Sequence, residues 1–124
     1  MVDDAAVRRL ALALPEVEDR SEGDRVAFEV RGGKGIAWTY LVRAAPKKPR
    51  VPQPDVLAVR CALERKEMLV AAAPDRFFDD DHYRGFPAVL VRLPQVDEVE
   101  LAALLRAAWR LSAPRALLGR LADD

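Results

Sequence analysis

The sequence predicts a small α+β domain. Apolar residues recur at helical spacing near both ends of the chain, whereas apolar and polar residues alternate through its middle. Between two alternating segments stands Arg31-Gly32-Gly33-Lys34-Gly35, the composition of a tight hairpin turn. With 124 residues, 51% hydrophobic and 32% charged, the chain fits one ordered domain spanning 1–124.

The first helix is expected from about Asp4 to Leu14. Val7, Leu10, Ala11 and Leu14 form its apolar stripe, Asp3 and Asp4 suit its start, and Pro15 stops it. Glu16 to Asp24 reads as an acidic surface connection. Val26, Phe28 and Val30 alternate with polar or small residues as a half-buried strand does, and Ile36 to Val42 supplies its hairpin partner. Ala44 to Pro54 carries Pro46, Pro49, Pro52 and Pro54 and predicts an extended, solvated, polyproline-like excursion. In the next strand, Asp55 to Cys61, Val56, Ala58 and Arg60 share one side, with Leu57, Val59 and Cys61 on the other.

Leu63 to Ala72 predicts a second helix, and Phe77 and Phe78 are expected to plug the core. Ala88 to Leu93 is apolar on both faces, so it predicts a central strand, ended by Pro94. Asp97-Glu98-Val99-Glu100 has the form of a capping box. It opens a long helix whose expected buried face is Leu101, Leu104, Leu105, Ala108 and Leu111. A last helix is expected beyond Pro114, with Leu117, Leu118 and Leu121 inward.

The chemistry-bearing residues are few. His82, the only histidine, follows Asp79-Asp80-Asp81, a spacing that matches neither a zinc site nor a calcium loop. Gly32-Gly33-Lys34-Gly35 lacks the Walker pattern and sits between strands, so it reads as a turn with Lys34 at its tip. Trp38 and Tyr40 share a strand face and form either core or a stacking platform, with core preferred. Lone Cys61 rules out an internal disulfide and reads as a buried, inert thiol in a reducing cytoplasm. No apolar run approaches the roughly 20 residues of a membrane span.

Formal net charge is zero, yet basic residues outnumber acidic ones between 25 and 66 while both ends are acidic. Lys47, Lys48 and Arg50 form the densest basic cluster, suited to nucleic-acid phosphates.

Several of these pieces stand in a recognisable order. Leu14-Pro15-Glu16-Val17-Glu18 closes the first helix, the Phe28…Gly33-Lys34 hairpin follows, and Glu64-Arg65-Lys66-Glu67-Met68-Leu69 lies in the second helix. Ala73-Pro74-Asp75-Arg76-Phe77-Phe78, His82-Tyr83-Arg84-Gly85-Phe86-Pro87-Ala88, Ala108-Trp109-Arg110-Leu111 and Ala113-Pro114 complete the series. Over nearly the whole chain this resembles the MmcQ/YjbR-like family of small bacterial proteins, most specifically in the His-Tyr-x-Gly-aromatic-Pro-Ala segment. The resemblance implies an antiparallel β-sheet with helices packed against it, likened to a double-wing DNA-binding arrangement, and members are commonly called DNA-binding proteins. Two features depart from it: the proline-rich basic loop, and Ala62 where an acidic helix cap is usual.

The expectation is a cytoplasmic, non-enzymatic, DNA-binding protein with no catalytic residue, metal or cofactor and no membrane partner, the monomer being the simplest state. Arg31, Lys34, Arg43, Lys47, Lys48 and Arg50 would contact phosphates from the hairpin and the proline-rich loop. The alternative is a protein-interaction or small-ligand module with a pocket near His82, Tyr83, Arg84 and Phe86.

Overall fold

A computed structural model describes residues 2–121. Six strands form one antiparallel sheet in the order β1-β2-β3-β4-β6-β5. They are β1 (Val17–Asp19), β2 (Ala27–Val30), β3 (Gly35–Arg43), β4 (Arg50–Arg60), β5 (Phe77–Phe78) and β6 (Ala88–Arg92). The helices are α1 (Asp4–Leu12), α2 (Leu63–Ala72) and α3 (Glu98–Ser112), with short 3-10 turns at Leu93–Gln95 and Arg115–Arg120.

Strand alternation creates two apolar faces. Phe28, Val30, Leu57, Val59, Val89 and Val91 look toward α1 and α3 and meet Val7, Ala11, Leu101, Leu105 and Trp109 in the main core. Trp109 is fully buried, and its indole Nε1 donates to the Pro15 carbonyl at 2.8 Å, tying α3 to the turn after α1. Caps fix the helix starts: Asp3 accepts from the Ala6 amide and Asp97 from the Glu100 amide. Ala62 leaves α2 without a side-chain cap. On the opposite face Tyr40, Ala58, Tyr83, Ala88 and Leu90 make a smaller core, flanked by Trp38, Val42, Val56 and Phe78.

Several elements differ from expectation for identifiable reasons. The acidic Glu16–Asp24 connection contains an edge strand, β1, because Arg8 pairs with Asp19, Arg20 with Glu18 and Glu29, and Arg31 with Glu16 and Glu18. Charge on an outer strand also keeps that edge from pairing further. The expected excursion at Ala44–Pro54 is half strand: Arg50, Val51 and Pro52 pair with Arg43, Val42 and Leu41. Proline is tolerated there because β6 pairs only with Val56–Arg60, so the earlier part of β4 has an open side. Between the pairs Thr39–Leu57 and Leu41–Pro52, β3 contributes one residue and β4 four, a wide bulge that includes Asp55 at φ 65°.

Phe77 enters the main core, while Phe78 packs on the other face, as neighbours in a strand must. Leu111 is exposed; the buried stripe continues from Ala108 to Ser112, whose hydroxyl donates to the Ala108 carbonyl at 2.7 Å. The last segment is 3-10 rather than α-helical, being only six residues with Gly119 inside it. Its Leu117 and Leu121 pack on the core, but Leu118 stays exposed.

Candidate functional site

The loop between β5 and β6 folds over the smaller core, and a buried lysine holds it there. Lys66 on α2 is 3% exposed. Its Nζ donates to the carbonyls of Tyr83 (2.7 Å) and Phe86 (3.0 Å) and pairs with Asp79 at 2.9 Å, so all three ammonium protons are used. Asp80 fixes the same loop from the other side, accepting from the Tyr83 amide at 2.7 Å and from the Tyr40 hydroxyl. Tyr83 is buried, and its hydroxyl accepts from Trp38 Nε1 at 2.9 Å. The Phe86 amide closes a turn onto the Tyr83 carbonyl, with Gly85 at φ 78° in the third position, where a type II turn requires a positive value.

Burial makes these phenols weaker acids, raising the pKa of both. Tyr40 is pushed up to about 12 by loss of hydration and then by the Asp80 carboxylate; Tyr83 rises chiefly through burial. Both hydroxyls therefore stay protonated at neutral pH. The Arg50 charge opposes both shifts, which places this side chain within electrostatic reach of the aromatic face. Burial likewise raises the Cys61 thiol, keeping it in the unreactive protonated form.

The aspartate triplet has separate engagements: Asp79 with Lys66, Asp80 with the two tyrosines, Asp81 with Arg84. Among the described residues no group of three or more His, Cys, Asp or Glu side chains is placed to hold a metal ion. His82 is exposed, its ring 5.4 Å from that of Tyr83. Together Trp38, His82, Tyr83 and Phe86 line an open cavity of about 430 Å³. Its walls are crossed rings: Trp38 and Phe86 meet at 79°, Tyr83 and Phe86 at 88°. Arg84 points away into its ion pair with Asp81 and does not line the cavity.

The six basic residues do not form one surface. Arg43, Lys47, Lys48 and Arg50 gather on the β3–β4 hairpin, which overhangs the end of β6. Lys34 lies at the other end of β3, about 27 Å away for eight strand residues. Its turn is also docked, since the Lys34 amide donates to the Ser112 carbonyl, and a Cβ on Gly33 would lie 2.1 Å from that oxygen. Arg31 is already partnered by Glu16 and Glu18 at 3.5 Å each. Residues 41–54 contain four cations and no carboxylate, and positions 43–49 are exposed.

A family model described as YjbR matches residues 12–111. The chain belongs to the YjbR family. The uncharacterised proteins Rv2570 of Mycobacterium tuberculosis (strain ATCC 25618 / H37Rv) and Mb2600 of Mycobacterium bovis are each 32% identical to it over 120 residues. The match covers 90% of this chain and 89% of each relative. The crystal structure of Deinococcus radiodurans protein DR2400, a DUF419 domain, superposes with a TM-score of 0.62 at 23% identity, over 85% of this chain and 74% of that one. The YjbR architecture is thus the open antiparallel sheet with helices described above. Among the described residues, no helix is long and apolar enough to cross a membrane.

Lys66 was not legible as a site residue, since it stands in the charged run Glu64-Arg65-Lys66-Glu67. One signal pointed to it: Leu69 and Val70 follow three and four positions later, on the same helical face.

Proposed function

We propose that this YjbR protein binds DNA without catalysing a reaction, laying backbone phosphates against the β3–β4 hairpin. One observation carries the reading: an overhanging ribbon with Arg43, Lys47, Lys48 and Arg50 and no acidic residue from 41 to 54. In a chain of zero net charge, segregating four cations on one projection creates a local field that attracts a polyanion. The prolines restrict the ribbon's backbone, lowering the entropy lost when it seats. Lys34 and Arg31 fall outside this footprint, because of distance and of ion pairing respectively. Backbone contacts position a protein without reading sequence, so the binding is sequence-tolerant.

The test is fluorescence anisotropy on labelled duplex DNA across a salt series. Four phosphate contacts give a log–log slope near −3.6, equivalent to roughly a 150-fold loss between 50 and 200 mM salt. Replacing Lys47, Lys48 and Arg50 together by alanine should flatten the slope to about −1. Absence of binding at low salt, or an unchanged slope in the triple variant, removes the reading.

A further inference from the structure

The aromatic cavity and the cationic hairpin lie along the same strand, β3. Trp38, Tyr40 and Val42 alternate along β3 from the cavity toward the hairpin, and Trp38 lies five residues, roughly 17 Å, from Arg43. Arg50 is close enough to act electrostatically on Tyr83. A polyanion held at the hairpin has to extend only about 17 Å, the span of Trp38 to Arg43 along β3, to reach the cavity.

The cavity chemistry selects a flat, neutral ring. Its walls are the Trp38 and Phe86 rings, and Phe86 is 41% exposed. Crossed aromatic rings also suit a quaternary ammonium ion, but here Arg60 already lies 5.5 Å from the Trp38 centroid and 5.9 Å from that of Phe86. A second cation would be repelled; an electron-rich ring would not. The Tyr83 oxygen accepts from Trp38 Nε1, which leaves its own proton to donate to a ring carbonyl or nitrogen. His82, exposed at the rim, offers one donor and one acceptor when neutral.

We propose that the Trp38–His82–Tyr83–Phe86 cavity receives one unpaired nucleobase, so that the protein holds single-stranded DNA in preference to a closed duplex. This rests on the hairpin reading for the phosphates and adds the base. In a duplex the ring faces are stacked and the pairing edges occupied, so only an unpaired or extruded base can enter.

The test uses the full chain with three probes: a short oligothymidylate, the matching duplex and thymidine monophosphate. Binding is followed by anisotropy for the labelled DNAs and by tryptophan emission for all three. The single strand is expected to bind more tightly than the duplex at equal salt and to quench Trp38, a response absent in Trp38→Phe because Trp109 is fully buried. Phe86→Ala, a substitution at an exposed position, should weaken single-strand binding about fivefold or more and leave duplex binding unchanged. Equal affinity for both strands with no effect of Phe86→Ala overturns the base pocket and leaves the hairpin reading standing. Quenching by thymidine monophosphate with no oligonucleotide binding overturns the single-strand proposal and the hairpin reading together. No binding of any probe does the same.

Discussion

Replacing Lys66 by methionine isolates the device that holds the β5–β6 loop on the sheet. Methionine matches the length of the stem but removes the ammonium, leaving the Tyr83 and Phe86 carbonyls without a donor and Asp79 without its counter-ion. Removing one partner of a buried ion pair costs about 3–5 kcal/mol. The lower end applies here, because the Asp79 side chain is 31% exposed and recovers hydration. A loss of about 3 kcal/mol in a 124-residue domain corresponds to a fall of roughly 10 °C in Tm. Urea unfolding gives the free energy, and Trp38 emission should shift to longer wavelength as the loop lifts from its indole. Adding Asp79→Asn to Lys66→Met should cost less than Asp79→Asn alone, since the carboxylate has already lost its partner. A Lys66→Met protein within 1 kcal/mol of the parent, or strictly additive single and double variants, would refute the anchoring role.

Three further outcomes follow from the geometry. Tyr40 ionises near 12 when folded against an ordinary 10, so the folded state retains the proton more tightly. Its contribution is complete below pH 10 and is lost as pH rises from 10 to 12, about 2–3 kcal/mol in total; urea midpoints at pH 9 and 11.5 should diverge less in Tyr40→Phe than in the parent. Gly33→Ala should destabilise more than Gly85→Ala by thermal melt: the first drives a Cβ into the Ser112 carbonyl, whereas the second meets open space and suffers only its φ of 78°, about 1 kcal/mol. Asp97→Ala removes the α3 cap and should cost about 1 kcal/mol in urea unfolding.

The helices and the regular strands could be read from the sequence because each has an intrinsic period and an end signal. The Val7–Ala11 stripe, the alternation of Leu57 and Val59 with Ala58 and Arg60, and the Asp97 cap all lie within a few residues of their cause. What escaped depends on distant partners. Val17–Asp19 becomes a strand by pairing with β2, its carboxylates partnered by arginines at 8, 20 and 31, and Pro52 is accommodated because β6 is short. The six cations belong to two segments near in sequence, the turn at 31–35 and the proline-rich loop, and the length of β3 sets those segments about 27 Å apart. The cavity unites Trp38 with residues 82–86, and no local pattern announces that meeting.

The prolines of the overhanging ribbon bear on how the protein behaves in a crowd of its own copies. An extended segment with one unpaired side is a template onto which another chain can add, the first step toward aggregation. From Val51 to Asp55, two of the five residues lack an amide hydrogen, and Asp55 turns out of the extended conformation at φ 65°. An incoming strand finds few donors in line and four like charges facing its own four. The same residues that make this ribbon an unusual strand deny a second copy the place to start.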